Sequence, residues 1–264
     1  MNEPNIGVFD SGVGGLSVLR QLQRALPRAT FRYVADSAHA PYGERSDALV
    51  IERALRIVRA LRSQGATLLV VACNTATAVA IDTLRATWPD MPIVGIEPGI
   101  KPALALTRSG RVGVMATRAT LASARFAALL RVQCGESKVN VHLQACDGLA
   151  AAIESGDLDS TAVRSAVERH CNALRECDVD TVVLGCTHYP FAAHHILEAM
   201  GPSVVLVDTG AAVAREVKRR WPGEANPSPT LSLQTTGDAG LLQAIASRWL
   251  GADQAKSTST LRLE

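Results

Sequence analysis

Two cysteines follow apolar segments of the chain, and their type and placement suit proton chemistry. Cys73 comes directly after Thr67–Ala72, and Cys186 comes after Thr181–Leu184 and one glycine. A thiol has an unperturbed pKa of about 8.5, so both of its protonation states are accessible near neutral pH. A helix or turn that begins after each cysteine favours a thiolate through its backbone N–H groups. The pair predicts that one thiol removes a proton from a carbon while the other delivers a proton to the opposite face.

Small polar side chains gather at the same kind of position, the ends of predicted strands. They are Asp10, Ser11, Asp36, Asn74, Thr75, Thr77, Thr117, Thr187 and Asp208, with His188 two residues after Cys186. In an open parallel sheet, ligands bind at the carboxyl ends of the strands. We therefore expect these groups to hold the ammonium and carboxylate groups of a small substrate, with Thr117 among the substrate-binding residues.

The elements that must position these residues alternate between apolar strands and helical patterns. The predicted strands are Ile6–Phe9, Phe31–Ala35, Thr67–Ala72, Ile93–Ile96, Arg111–Met115, Val139–Leu143, Thr181–Leu184, Val204–Val207 and Thr230–Gln234. Strands that are apolar along most of their length and alternate with helices are typical of a parallel sheet in an α/β fold. The polar tail, Asp253–Glu264, is expected to be poorly ordered up to Leu261.

The pattern repeats along the chain. The segment Ile6–Phe9 matches Val112–Met115, and Val70–Thr75 matches Val183–His188, in the same order and at similar intervals. We interpret the repeat as an internal duplication. It predicts two pseudo-symmetric α/β domains, each with a central, mostly parallel sheet flanked by helices, and an active site in the cleft between them. The first domain is expected to comprise residues 1–96 plus 210–264, and the second residues 97–209.

The composition of the chain excludes several classes of partner. Of 264 residues, 27 are Lys or Arg and 25 are Asp or Glu, which gives a net charge of +2. This balance predicts neither a nucleic-acid partner nor an anionic membrane partner. The longest apolar runs are about eight residues, whereas a membrane span needs about 20. The start of the chain shows no export signal, so we expect a cytoplasmic protein with reduced thiols.

Metal and cofactor motifs are not predicted. No pair of the six cysteines has CxxC spacing, which argues against a zinc site. The segment Asp10–Gly15 matches neither phosphate-binding glycine motif. With only four lysines and no phosphate cradle, the sequence favours cofactor-free chemistry over a pyridoxal Schiff base. The remaining cysteines and several histidines are interpreted as structural, packing or surface residues: Cys134, Cys146, Cys171, Cys177, His39, His142, His194 and His195.

Several segments resemble the cofactor-independent aspartate/glutamate racemase family, nearly from end to end. They are Gly7–Gly15, Pro41–Ser46, Ala72–Ala76, Gly95–Pro98, Leu184–Pro190 and Thr235–Asp238. His188 after Gly-Cys-Thr is similar to the glutamate branch, because the aspartate branch carries an acidic residue there.

The resemblance implies that the chain interconverts L- and D-glutamate with two cysteines and no cofactor or metal, and supplies D-glutamate for peptidoglycan. It implies that Cys73 acts on the D-face proton and Cys186 on the L-face proton, and that Asp10, Glu154 and His188 assist the thiols. The substrate-binding residues that it implies are Asp10, Ser11, Pro41, Tyr42, Gly43, Asn74, Thr75, Thr187 and His188. Family members are often homodimers, and no patch in this sequence identifies an interface.

Three alternatives stay open on the residues. The chain could be a racemase of aspartate or another amino acid within the same family. It could be a cysteine hydrolase with Cys186 as nucleophile and His188 as base, although this leaves Cys73 without a role. It could also be a ligand-binding module without chemistry, which would bind glutamate but leave its α-proton in place.

Overall fold

The computed structural model describes residues 5–135, 137–221, 223 and 226–263. In this part of the chain the strands are β1 (Asn5–Asp10), β2 (Phe31–Ala35), β3 (Ala66–Val71), β4 (Ile93–Gly95), β5 (Arg111–Ala116), β6 (Asn140–Ala145), β7 (Thr181–Gly185), β8 (Val205–Val207), β9 (Leu231–Thr235) and β10 (Thr258–Thr260).

Helices alternate with these strands. They are α1 (Leu16–Ala25), α2 (Asp47–Ser63), α3 (Asn74–Thr87), α4 (Ile100–Leu106), α5 (Arg118–Ala122), α6 (Ala124–Cys134), α7 (Leu149–Glu154), α8 (Thr161–Arg175), α9 (Ala193–Met200), α10 (Gly210–Arg220) and α11 (Ala239–Leu250). Several begin at a side-chain cap: the hydroxyl oxygens of Ser46, Thr117 and Ser160 each accept a backbone N–H of the following turn.

Packing divides the chain into two compact units. Unit 1 comprises Met1–Ile96 and Gly210–Glu264, and unit 2 comprises Glu97–Thr209. Unit 2 is thus inserted into unit 1. Its two ends approach each other, because a Cβ on Gly99 would lie 2.9 Å from Cγ2 of Thr209.

The sheet of unit 1 has the strand order β10-β9-β2-β1-β3-β4, and every pairing is parallel. Its central strand β1 is buried along its whole length, with Phe9 paired to Val34 on one side and to Val71 on the other. Helices α2 and α3 cover the sheet with apolar side chains such as Ile57 and Ile81. Strand β9 lies beside β2 although most of the chain separates them in sequence.

The sheet of unit 2 has the order β6-β5-β7-β8, again with parallel pairings throughout. Strand β5 pairs with β6 and β7, just as β1 pairs with β2 and β3. The core includes the buried side chains of Val112, Val114, Phe126 and Val183. The predicted α/β fold with parallel sheets is confirmed, and the shared strand order supports the interpretation of an internal duplication.

The expectation of a poorly ordered tail is wrong for the described residues. Strand β10 pairs in parallel with β9, and the N–H of Leu261 donates to the carbonyl of Thr235 at 2.7 Å. Leu261 and Leu263 pack against the core of unit 1, and Ala255 is fully buried. The tail is ordered because it satisfies the hydrogen-bonding edge of β9, a partner that its polar composition does not reveal.

None of the described helices has the length and apolar character needed to cross a membrane.

Candidate active site

Cys73 lies where β3 gives way to α3, and it is the N-cap of that helix. Its Sγ accepts the backbone N–H of Ala76 at 3.3 Å, in the place where a serine or threonine oxygen usually serves. Its thiol donates to Oγ of Ser11 at 3.7 Å. The side chain is almost buried. A negative charge on this sulfur would therefore face a backbone N–H and the positive end of the dipole of α3.

Asp10 and Ser11 follow β1, which is the neighbour of β3 in the sheet. The carboxylate of Asp10 is fully buried and accepts the backbone N–H of Gly12 at 3.0 Å. Gly15 is required beside it, because a Cβ there would lie 2.5 Å from the Cβ of Asp10. The glycine-containing segment thus serves a close approach of the chain to a carboxylate, which would repel a phosphate.

Tyr42 is held by a buried ionic network centred on Asp36. The Tyr42 hydroxyl donates to Asp36 at 2.6 Å, and the guanidinium of Arg53 donates to both carboxylate oxygens at 2.9 and 2.7 Å. Thr236, from the end of β9, donates to the same carboxylate at 2.7 Å. Burial by itself raises the pKa of Asp36, but these hydrogen bonds and the charge of Arg53 bring it below its usual value.

The same network settles the state of the Tyr42 hydroxyl. Burial and the neighbouring charge of Asp36 raise the pKa of Tyr42 far above its usual value, and charge on Cys73 raises it further. Tyr42 therefore stays protonated beside Cys73, with its proton committed to Asp36. Its neighbours Pro41 and Gly43 are half-buried at either side of it. Asp36, predicted as a strand-end polar group of the site, is instead an anchor for this turn.

Asn74 opens α3 next to Cys73. The side chain is 5% exposed, and its oxygen Oδ1 has no hydrogen-bond partner in the described structure. A buried carbonyl oxygen without a donor is unusual, and this atom is free to accept a hydrogen bond from a ligand. Thr75 is buried beside it. Thr77, by contrast, is engaged within the fold, because its Oγ1 donates to the carbonyl of Val71 and accepts the N–H of Ile96, each at 3.2 Å.

In unit 2, Cys186 and Thr117 occupy neighbouring strand ends. Ala116 at the end of β5 pairs with Gly185 at the end of β7, so the residues that follow them lie side by side. Thr117 is half-buried and caps α5, with Oγ1 accepting the N–H of Thr120 at 3.2 Å. Thr187 is buried next to Cys186.

Cys186, His188 and Glu154 form a hydrogen-bonded chain. Sγ of Cys186 lies 3.6 Å from Nδ1 of His188, and Nε2 of His188 lies 2.6 Å from Oε2 of Glu154. Burial alone lowers the pKa of His188, but the hydrogen bonds and charges of Cys186 and Glu154 raise it well above its usual value. The ring of His188 is therefore suited to hold a positive charge between the sulfur of Cys186 and the carboxyl group of Glu154.

One helix of this unit is not predicted from the sequence. Glu154 ends α7, a short helix that the hydrophobic pattern does not predict, so only the resemblance points to it. Cys146, interpreted from sequence as structural, follows β6 and donates its backbone N–H to the carbonyl of Ala116 at 2.9 Å. Its place directly after a strand is the same signal that identified the other two cysteines. Asp208, a further strand-end carboxylate, is exposed.

One group of side chains approaches the spacing of a metal site within the described ranges. Ligand atoms of Asp159, His194 and His195 lie within 4.8 Å of one another. Oδ1 of Asp159 already accepts from Arg164 at 2.9 Å, and Nε2 of His195 lies 3.0 Å from the carbonyl of Leu158. Asp159 and His195 are thus engaged within the protein, and Arg164 already pairs with the carboxylate of the group. We interpret the group as an ion-paired turn.

Comparison with known proteins shows the family to which the chain belongs. The sequence model of the Asp/Glu/hydantoin racemase family matches residues 6–217. A curated glutamate racemase of Pseudomonas entomophila is 47% identical over 265 residues, which cover 97% of this chain and 99% of the relative. A glutamate racemase of Pseudomonas aeruginosa is 52% identical over 214 residues, covering 81% of this chain and 80% of the relative.

Solved structures that are similar to this chain include glutamate racemases. A glutamate racemase isoform from Bacillus anthracis superposes with a TM-score of 0.87 at 32% identity, covering 100% of this chain and 98% of that chain. The Escherichia coli glutamate racemase was solved with L-glutamate and the activator UDP-MurNAc-Ala. It gives a TM-score of 0.84 at 32% identity, and the match covers 94% of this chain and 95% of that chain. These matches confirm the family resemblance seen in the sequence segments. The chain belongs to the Asp/Glu/hydantoin racemase family, and it is a racemase.

Proposed function

We propose that the chain is a glutamate racemase that interconverts L- and D-glutamate by cofactor-independent proton transfer between two thiols. The observation that carries this proposal is the placement of Cys73 and Cys186 after corresponding strands, β3 and β7. The order β2-β1-β3-β4 in the first sheet corresponds to β6-β5-β7-β8 in the second. The curated relatives and solved structures named above, which are glutamate racemases, support glutamate as the substrate.

The chemistry divides between the two faces of the α-carbon. In the direction from L- to D-glutamate, the Cys186 thiolate takes the α-proton and the Cys73 thiol delivers its proton to the opposite face. The reverse direction begins with the Cys73 thiolate and ends with the Cys186 thiol as donor. One thiol and one thiolate are present before and after each turnover, so the protons balance. The site returns to its starting state when the opposite enantiomer reacts or when protons exchange with solvent.

Each sulfur has its own means of carrying negative charge. Cys73 has the N–H of Ala76 and the N-terminus of α3. Cys186 has the imidazolium of His188, which Glu154 holds in place from its other nitrogen. Asp10, buried beside Ser11, assists Cys73 in the same proposal.

Substrate recognition follows from the polar groups around the thiols. The unpartnered Oδ1 of Asn74 is an acceptor for the α-ammonium group of glutamate. The carboxylates of the substrate are assigned to hydroxyl and backbone N–H donors at the strand ends: Ser11, Thr75, Thr117, Thr187 and the turn Pro41, Tyr42 and Gly43. The hydroxyl of Tyr42 is committed to Asp36. This turn therefore contributes through its backbone and its shape.

The test is racemisation of L-glutamate in D₂O by the purified chain, without added cofactor. We expect loss of optical activity, followed by circular dichroism, together with entry of deuterium at the α-carbon, followed by NMR. Reaction of aspartate or another amino acid but not glutamate would keep the fold and chemistry and reassign the substrate. Binding of glutamate without α-proton exchange would refute the proposal and favour a binding module.

The proposed cellular role is supply of D-glutamate for peptidoglycan in the cytoplasm. Its test is growth of a bacterial strain that requires D-glutamate after it receives this chain. Growth without added D-glutamate is expected, and a Cys73→Ala variant expressed at the same level is the matched control.

A further inference from the structure

The hydroxyl of Tyr189 has no hydrogen-bond partner, although the residue is completely buried. Tyr189 begins the 3₁₀ turn that follows Cys186 and His188, and its backbone N–H donates to the carbonyl of Cys186 at 3.2 Å. Its oxygen makes no hydrogen bond of ordinary geometry with any residue that the structure describes. A buried hydroxyl in this state is destabilising, so its presence calls for a physical reason.

The thiols of Cys186 and Cys146 lie near this hydroxyl. Burial raises the pKa of Tyr189 well above its usual value, and negative charge on Cys186 or Cys146 would raise it further. The phenol therefore keeps its proton and can act only as a neutral donor near these sulfurs. The hydroxyl is near enough to interact with both sulfurs, but it makes no hydrogen bond of ordinary geometry to either of them.

Cys146 is the weaker of the two possible acceptors. Burial raises the pKa of its thiol far above the usual value, so this sulfur stays protonated. Its own S–H points at the carbonyl of Gln144, 3.5 Å away. A neutral thiol sulfur is a poor acceptor, whereas a thiolate accepts strong, charge-assisted hydrogen bonds.

We propose that Tyr189 is a positioning residue for Cys186, whose hydroxyl donates a hydrogen bond to the Cys186 sulfur when that sulfur is a thiolate. The inference rests on the function proposed for Cys186. His188 approaches the same sulfur through Nδ1 at 3.6 Å, so the thiolate would have two donors. When Cys186 takes up an α-proton its sulfur becomes a poor acceptor, and the hydroxyl is released without any proton leaving Tyr189.

The other tyrosines of the chain show why this one is distinct. Tyr33 donates to the carbonyl of Gly12 at 2.5 Å, and Tyr42 donates to Asp36 at 2.6 Å. Both are buried and both are fixed by strong partners. Tyr189 alone among these three is left with an uncommitted proton, and it is the one that adjoins a proposed catalytic sulfur.

The first experiment replaces Tyr189 by phenylalanine and measures alkylation of Cys186 by iodoacetamide as a function of pH. Peptide mass spectrometry reads each cysteine separately, and no substrate is needed. Only the thiolate reacts with iodoacetamide, so loss of the Tyr189 donor is expected to move the midpoint of the Cys186 alkylation profile to higher pH. At neutral pH, alkylation of Cys186 is expected to slow about tenfold. Cys73 in the same sample is the internal control, and its alkylation profile is expected to stay unchanged.

A second measurement follows racemisation. Tyr189→Phe is expected to lower kcat/KM by about tenfold in both directions, since L- and D-glutamate have equal free energies and the two values must change together. The low-pH limb of kcat/KM is expected to move to higher pH. A purely structural role for Tyr189 would lower the amount of folded protein without moving this limb.

Cys146 supplies the matched variants. An oxygen is a better acceptor than a thiol sulfur, so Cys146→Ser is expected to hold the hydroxyl away from Cys186 and to slow its alkylation. Cys146→Ala removes the rival acceptor and is expected to leave the alkylation profile of Cys186 near that of the parent chain. These variants decide the question if Tyr189→Phe fails to fold.

The results separate this inference from the proposed function. An unchanged Cys186 profile in folded Tyr189→Phe, or in Cys146→Ser where the first variant does not fold, overturns the positioning role even if the parent chain racemises glutamate. A shifted profile in a chain that does not racemise glutamate supports the donor role and refutes the substrate assignment alone.

Discussion

Replacing Glu154 by glutamine tests whether His188 works as an imidazolium. The two side chains meet at 2.6 Å, and they are only 2% and 15% exposed, for His188 and Glu154 respectively. Glutamine keeps the size of the side chain and one oxygen acceptor but removes the charge. Burial then works against the protonated ring with one counter-charge fewer, so we expect the pKa of His188 to fall.

The magnitude follows from the burial of the pair. Removing one partner of a buried ion pair costs about 3–5 kcal/mol, because the remaining charge loses its compensation. If the imidazolium is needed when Cys186 carries charge, a loss of about 3 kcal/mol lowers kcat/KM about 150-fold. Because the pKa of His188 falls, the deficit is expected to grow as pH rises from about 6 to about 9.

The assay compares α-deuterium exchange and inversion for both enantiomers in D₂O. The proton of D-glutamate is assigned to Cys73, whereas Glu154 acts on His188 beside Cys186. Exchange of D-glutamate without inversion is therefore expected to become prominent relative to racemisation. Glu176→Gln, an exposed substitution in the same unit, is the control and is expected to behave as the parent chain.

A folded Glu154→Gln variant with kcat/KM within about threefold of the parent at all pH values would refute the reasoning, because an effect that small is below the magnitude of a buried charge. A large loss that is independent of pH would also contradict it. Such a result would mean that Glu154 holds the imidazole ring of His188 in position without setting its protonation state.

Three further predictions follow from the same geometry. Cys73→Ala and Cys186→Ala are each expected to abolish racemisation, with more activity left in the serine variants, and racemisation at the parent rate by either alanine variant would refute the two-thiol scheme. Arg53→Met leaves Asp36 buried without its counter-charge and is expected to lower the free energy of unfolding by about 3–5 kcal/mol in urea titrations, with Arg53→Lys losing less; an unchanged unfolding midpoint would contradict it. The pKa of Asp36 is lowered in the folded state, so its carboxylate is expected to contribute its full share of the free energy of unfolding above about pH 4. This contribution is expected to be lost as the pH falls through the pKa of Asp36 in the folded state. The parent chain and Arg53→Met should therefore converge in stability in acid.

The sequence predicted the features that depend on apolar patterning. Strands such as β1 and β3 are apolar along most of their length, and Asp10 and Cys73 come at or just after their ends. Both the parallel sheets and the position of Cys73 could therefore be predicted. The repeat also predicted a second α/β unit with a parallel sheet. These features could be predicted because one local pattern, an apolar strand followed by a polar residue, indicates both where the strands lie and which residues are candidates for the active site.

Features that depend on distant pairing could not be predicted. The anchoring of Tyr42 joins Asp36 to Arg53 on α2 and to Thr236, which is 200 residues away. No local pattern announces such a pairing. Likewise the polar segment Thr258–Thr260 forms a strand only because β9 offers it an edge.

The insertion of unit 2 into unit 1 has a consequence for the newborn chain. Strand β2 leaves the ribosome early, but its neighbour β9 begins only at Leu231. Asp36 and Thr236 are 200 residues apart, and synthesis of that length of chain at about 5–20 residues per second takes about 10–40 s. Throughout that interval β2 is an open edge whose N–H and C=O groups can pair with another chain. The speed of translation and the protection of this edge by chaperones therefore bear on the yield of active protein, and a slowly translated message would lengthen the exposure.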